Sequence, residues 1–530
     1  MKLEKKSLRD VEEWKKAGYE LPEYDLEIIQ ANTKKKPIWI HFGAGNIFRA
    51  FMAVAQQKLL NEKIADTGII VCEGYDSEII EKVYRNYENL TISVSMKQNG
   101  SMDKMVVGSV AESLLLKPET SDWLRLKEIF ENPALQMATF TITEKGYQIK
   151  NASGYLPQIK EDMQVGPEQA KSYMGCLTAL CYLRYLAGKL PLALVSMDNF
   201  SHNGDRLKMA VLTIAEVWEK NNLVEEGFSG YLQDETKISF PWSMIDKITP
   251  RPDSKIKEML ERTGLEGMDI FSTSANTYIA PFVNAEETEY LVIENNFPNG
   301  RPELEYAGIL FADRRTVECV EQMKVCTCLN PLHTGLAIFG CLLSYTSISK
   351  EMEDPLLREL AVQIGQEGMP VVVHPGILEP KQFLHEVLCV RLPNPYIPDT
   401  PQRIATDTSQ KLSIRYGETI KAYQKTGKSL NQLRAIPLVI AGWIRYLTGV
   451  DDFGNTMELS PDPRMTELRE KISDIAEKPE MVVGSILADA SVFGQDLSKT
   501  ELAEPVIGFL KEMLTGPHAV RKTLEKYLGQ

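Results

Sequence analysis

The chain has 530 residues, enough for two or three domains with substantial cores. Its 43% hydrophobic and 25% charged content is that of an ordinary globular protein. The net charge of −14 argues against a nucleic-acid partner or an anionic membrane surface, and the longest apolar runs, residues 190–197 and 436–441, are too short for a bilayer.

The first 18 residues are rich in Lys and Glu and lack the apolar stretch of a signal peptide, so a cytoplasmic location is expected. Residues 1–35 are polar, with a helix predicted over Leu8–Ala17. A short apolar strand from Pro37 to Phe42 runs into a glycine turn, Gly43-Ala-Gly45, and then a long helical pattern through Phe51, Val54, Ala55, Lys58 and Leu59. A second strand, Ile69–Cys72, ends in Glu73. Further strands are predicted at 91–96, 136–143 and 192–197, with helices at 122–131, 167–188 and 205–221. Such alternation implies a mostly parallel, doubly wound sheet. After Pro281 the character changes. Leu291–Ile293 reads as one more strand, and from Val317 the periodicity is almost wholly helical, with strong windows at 331–345, 355–365, 429–449 and 501–529. The expected architecture is an α/β N-terminal domain over residues 1–285 and an all-α C-terminal domain over 286–530.

The glycine turn carries the first chemical signal. A glycine after a strand makes the bend, a second lets backbone N–H groups approach a pyrophosphate, and the following helix offers its positive end. Phe48 stands where the fingerprint has its third glycine. Glu73, closing the next strand, is placed to accept from an adenosine ribose hydroxyl and to repel a 2′-phosphate, which favours NAD over NADP. The 30-residue gap from Gly43 to Glu73 requires a long first helix.

The second signal is the window from Met323 to His333, where Lys324 is followed at +6 by Asn330 and at +9 by His333 among apolar neighbours. Burial disfavours a charged ammonium and so suits a lysine to proton transfer. An amide can donate to an oxygen that gains charge, and a neutral imidazole can bind a hydroxyl or carbonyl. Asn330-Pro331 also reads as a helix start. The eight cysteines form no paired framework, so reduced thiols are expected. Cys326-Thr-Cys328 is too short and too isolated for a zinc site, and no metal is expected.

Together the segments 41–49 (His-Phe-Gly-Ala-Gly-Asn-Ile-Phe-Arg), 141–147 (Thr-Ile-Thr-Glu-Lys-Gly-Tyr), 197–204 (Met-Asp-Asn-Phe-Ser-His-Asn-Gly) and 243–250 (Ser-Met-Ile-Asp-Lys-Ile-Thr-Pro) resemble the polyol-specific long-chain dehydrogenases, or mannitol dehydrogenase family. The Lys324 window, Arg391–Pro395 with Arg403–Lys411, and Tyr446–Gly454 continue the likeness in the same order. The resemblance implies a Rossmann-type N-terminal domain, a helical C-terminal domain, and metal-independent hydride transfer between NAD and a secondary alcohol. It implies dinucleotide contacts from Gly43, Ala44, Gly45, Asn46, Ile47, Phe48, Arg49, Glu73, Thr143 and Asn199. Lys324 takes the role of general acid/base, Asn199 and Asn330 are donors around the reacting oxygen, and His333 orients the substrate. Glu321 relays the proton to solvent, and Asp246, Arg403 and Lys411 join Asn330 and His333 in the substrate pocket. The stretch 326–333 (Cys-Thr-Cys-Leu-Asn-Pro-Leu-His) resembles the mannonate-oxidising members of this family, and two cations suit a carboxylate as well as polyol hydroxyls; the resemblance therefore implies reduction of the keto-hexuronate D-fructuronate to D-mannonate. Alternatives are D-fructose with D-mannitol, then tagaturonate, and, in a different class, a non-catalytic dinucleotide-binding sensor. The partner is a small sugar acid or ketose, with no nucleic acid or membrane, and the protein is a monomer or small homo-oligomer. One departure stands out: the family pattern has five steps from lysine to asparagine, and here there are six. On an unbroken helix nine steps put Lys324 and His333 on opposite faces, whereas eight leave them about 80° apart. A π-bulge, or a break ahead of Pro331, is needed to absorb the extra residue.

Overall fold

The computed structural model describes residues 1–529, and the chain divides into two compact units, Met1–Val317 and Glu318–Gln530. In the first, six strands form a wholly parallel sheet: β1 (Trp39–Phe42), β2 (Ile69–Glu73), β3 (Val110–Leu115), β4 (Met137–Phe140), β5 (Leu192–Ser196) and β6 (Ile238–Ser239). Their order is β3-β2-β1-β4-β5-β6, two mononucleotide-binding halves meeting where β1 adjoins β4. Strand residues alternate between two apolar layers. Ile40, Phe42, Ile70 and Cys72 join a cluster with Leu126, Leu177 and Trp218, while Trp39, Ile69 and Val71 join Phe51 and Leu59. Apart from Phe51, which lies in the turn just before α1, these side chains come from helices α1 (Ala53–Asn61), α2 (Ser121–Glu131), α3 (Tyr173–Leu186) and α4 (Asn203–Lys220). With both faces covered, all four residues of β1 are buried, which is why it reads as one apolar run.

Two strands behave differently from expectation. Residues 91–96 leave the main sheet and pair antiparallel with Met102–Val107 and parallel with Phe282–Glu286. The tight turn at Gly100 (φ 83°) makes a hairpin, so no crossover helix is needed. The strand predicted at 291–293 is Tyr290–Glu294, set between Ser243–Asp246 and Leu310–Ala312 in a three-stranded sheet. That sheet ties residues up to 312 into the first unit. The division therefore falls inside α5 (Arg314–Met323) rather than at 285.

Among the described residues the second unit is helical, apart from a single bridge between Val450 and Thr456. Its centre is α6 (Asn330–Leu342), α7 (Pro355–Gly368) and α8 (Ala435–Tyr446), the last buried on every side. The predicted helix over 501–529 is two, Ala503–Met513 and Ala519–Leu528, broken at Gly516 (φ 140°) and Pro517. Residues 314–342 form one helical run long and apolar enough by composition to cross a membrane, beyond what the short apolar runs suggested. Since 78% of its apolar window is buried within the chain, it has the character of a core helix.

Candidate active site

In the first unit the predicted residues gather at the carboxyl ends of β1, β2, β4 and β5. Gly43 has φ 109°, and a Cβ there would lie 2.2 Å from the Thr141 carbonyl at the end of β4, so no other residue fits. A Cβ on Gly45 would meet nothing within 4 Å; the backbone there borders open space, as a phosphate cradle requires. Phe48 replaces the third glycine by packing its ring on His41 of β1, with centroids 4.3 Å apart, inside a π turn (Phe48–Met52) that leads into α1. The long first helix that the Gly43–Glu73 gap required is therefore present.

Glu73 and Arg49 sit differently from the simple reading. The Glu73 carboxylate accepts from the backbone N–H of Ala44 (2.8 Å), Tyr75 (2.7 Å) and Asp76 (3.2 Å), so it clamps the glycine turn to the end of β2. Its charge lies under the turn, with little acceptor capacity left for a ribose hydroxyl. Arg49 is fully buried and donates to Thr91 Oγ1, the Ala280 carbonyl and Asn46 Oδ1. It braces the turn through Asn46, whose amide in turn donates to the Pro250 carbonyl.

Beyond β4, Thr143 holds φ 63°, strained for a β-branched residue. Asp198, immediately before Asn199 at the end of β5, accepts from the N–H of Ile142 and Thr143 and from the Tyr147 hydroxyl at 2.6 Å. Burial raises the Asp198 carboxyl above its ordinary range, and these donors pull it back. Asn203, opening α4, donates to the Asp198 carbonyl and to Ser243, fixing the loop that carries Asn199. Asp246 is the buried last residue of the strand beginning at Ser243. Asp198 was not singled out from sequence; its place inside the 197–204 motif was the available signal.

In the second unit the helical run carries Glu321, Lys324, Asn330 and His333 in turn. Lys324 is 3% exposed and opens a π turn, Lys324–Cys328, in which the Leu329 N–H donates to the Lys324 carbonyl at 3.0 Å. Leu329 (φ −129°, ψ −63°) then breaks the helix, and α6 starts at Asn330. Both devices that the six-step spacing called for, a wide turn and a break, are present. Asn330 is the first helical residue rather than the cap, so its side-chain amide is not spent on the backbone. Thr419 donates to the Cys326 carbonyl and Tyr416 to the Pro331 carbonyl, pinning residues 416–419 against this segment.

Burial pushes the His333 imidazole down to about 4; Asp399, 4.0 Å away, opposes the shift, and the charges of Arg391, Arg415 and Arg403 add to it. At neutral pH the ring is uncharged. Arg403 pairs with Asp399, and the Lys411 ammonium donates to the Thr406 carbonyl. The lysine is lowered by burial and by the neighbouring Arg415. Arg415, four residues past Lys411, was not singled out from sequence; it donates to Thr334 Oγ1.

A parallel sheet in this strand order, with a glycine turn at the switch point, defines a Rossmann-type dinucleotide-binding domain, here followed by a helical domain. Residues 37–306 match the mannitol dehydrogenase Rossmann domain and residues 316–514 the mannitol dehydrogenase C-terminal domain. The chain belongs to the mannitol dehydrogenase family of oxidoreductases. It is 52% identical to D-mannonate oxidoreductase of Thermotoga maritima, over 100% of this chain and 99% of that protein. It is 25% identical to mannitol 2-dehydrogenase of Pseudomonas fluorescens, solved as a ternary complex with NAD and D-mannitol, with a TM-score of 0.70 and 100% of each chain covered. A D-sorbitol dehydrogenase structure, 24% identical with a TM-score of 0.79 over 96% of this chain and 98% of that one, has the same fold.

Proposed function

We propose that this protein is an NAD-dependent fructuronate reductase that converts D-fructuronate and NADH to D-mannonate and NAD. The observation that carries the reading is the 52% identity, over full length, to a D-mannonate oxidoreductase. Gly43–Asn46 and the start of the following helix would hold the pyrophosphate, and the open space beside Gly45 fits that use. Bound there, NADH supplies the hydride. The ketone oxygen gains negative charge as it is reduced; Asn199 and Asn330 donate to it, and the Lys324 ammonium gives it the proton. Glu321, one helical turn before Lys324, returns a proton from solvent. His333, neutral, orients a hydroxyl, with Asp246, Arg403 and Lys411 on the rest of the sugar. The reaction uses soluble metabolites, and the same reading places the enzyme in the cytoplasm.

The test is NADH oxidation by the purified enzyme with D-fructuronate, tagaturonate and D-fructose. Fructuronate should give the highest kcat/KM. Efficient reduction of fructose with fructuronate ignored would make the protein a mannitol 2-dehydrogenase, the reading favoured by its likeness to the mannitol complex. No turnover with any keto sugar, despite NADH binding, would leave a dinucleotide sensor.

A further inference from the structure

The second unit concentrates cations near His333: Arg391, Arg403 and Arg415 each act electrostatically on its ring, and Arg403 and Arg415 act on Lys411. Their engagements differ. Arg403 is 61% exposed along its side chain and pairs with Asp399. The Lys411 ammonium donates to the Thr406 carbonyl and, as a point charge, lacks the planar fork of a guanidinium. Arg415 is part-buried, and among the described residues its guanidinium makes one hydrogen bond, to the neutral hydroxyl of Thr334, and no ion pair. Burial pulls it down to about 10, with no carboxylate among the causes.

The position is held firmly. Arg415 lies in a π turn, Ser413–Gly417, packed on the π turn of Lys324. Its neighbour Tyr416 is fully buried and bonds the Pro331 carbonyl at 2.7 Å. Thr334, which the guanidinium bonds, directly follows His333 and is itself fixed by donating to the Asn330 carbonyl at 2.9 Å. A partly desolvated guanidinium without a counter-charge costs free energy unless an anion arrives to complete it. A planar fork of N–H donors is matched to a carboxylate.

We propose that Arg415 is the residue that recognises the substrate carboxylate and so selects hexuronates over neutral ketoses, Arg403 being held by Asp399. This rests on the fructuronate reading above and names the group that carries its specificity.

The test uses the full-length enzyme in steady-state NADH oxidation with D-fructuronate, and with D-fructose as substrate or as competitive inhibitor. In Arg415→Gln the KM for fructuronate should rise roughly ten- to a hundredfold, with kcat changed far less, while the constant for fructose moves by less than about threefold. Arg415→Lys, which keeps the charge but loses the fork, should fall between the two. An unchanged fructuronate KM, or equal losses for both sugars, would overturn the proposal, since a purely structural role weakens both alike. Should Arg415→Gln fail to fold, Thr334→Val loosens the guanidinium without altering charge. It should raise the fructuronate constant selectively, and an unaltered fructuronate-to-fructose ratio would count against Arg415. Refusal of fructuronate by the wild-type enzyme would instead sink the reaction assigned above, before any variant is compared.

Discussion

Lys324 sits in a buried π turn with Asn330 and His333 following it, while the glycine turn belongs to the other unit. Lys324→Ala should therefore lower kcat by at least about a hundredfold, within the range for loss of a general acid. NADH affinity by fluorescence titration should stay within a few-fold. Wild-type turnover in the variant would move the acid role to Glu321. Glu73 is a sharper case, because its carboxylate organises the turn as well as charging it. The wild type should prefer NADH to NADPH. Glu73→Gln should narrow that preference and also weaken NADH binding about tenfold, because an amide leaves a backbone N–H of the clamp unpaired. A variant that gains NADPH use at no loss in NADH affinity would show the clamp to be dispensable. At Arg403 the geometry redirects the expectation. Its charge, together with burial, helps keep His333 neutral, and it neutralises Asp399. In Arg403→Ala the imidazole should rise from about 4 towards its ordinary 6.5, carrying the acid limb of the kcat/KM profile to higher pH. An unmoved acid limb would mean that His333 does not set it.

At the scale of elements, much was legible because it depends on local pattern. Strand β1, the turn at Gly43-x-Gly45 and the helix after it follow from an apolar run, two glycines and a 3.6-residue period. The six-step spacing from Lys324 to Asn330 predicted a π-bulge or a break, and both occur. The chain hid what depends on distant partners. Nothing local says that 91–96 pairs with 282–286 rather than with the main sheet. Nor does anything local give strand β3 and the two-residue β6, or show that Arg403 would be taken by Asp399 while Arg415 was not. The π turn also yields a test of its own. It holds one residue more than an α-helical turn, so deleting Val325 should turn it into an α-helical turn ahead of the break at Leu329, with the family's five-step spacing. Such a deletion should keep Tm within a few degrees and retain measurable turnover. Deleting Ala337 from the fully buried stretch of α6 should instead rotate that core face by about 100° and prevent folding. Equal damage from the two deletions would contradict the insertion reading of the π turn.

Over the whole molecule the two units place different demands on stability. Eight free thiols, five of them buried, contribute no cross-links, so each unit rests on its packed layers. The first unit also buries an uncharged imidazole in its sheet. His41 on β1 is bonded to Thr139 Oγ1 at 2.6 Å and Thr141 Oγ1 at 2.8 Å, and burial holds it down to about 3. In the unfolded chain the same group titrates near 6.5, so between these values the unfolded state binds the extra proton. The contribution is complete above about pH 6.5 and is progressively lost as pH falls towards 3. By pH 5 the loss from this one group should be about 2 kcal/mol. Urea unfolding of the wild type at pH 7.5 and pH 5, read on the transition of the first unit, should show it. His41→Asn retains a polar group between the two threonines but has nothing to titrate. The variant should be less stable at pH 7.5, and its further loss on going to pH 5 should be smaller than the wild type's by about the same 2 kcal/mol. Parallel pH dependence in the two proteins would mean that His41 finds a proton acceptor in the folded state, and that its pairing with Thr139 and Thr141 is looser than the sheet geometry indicates.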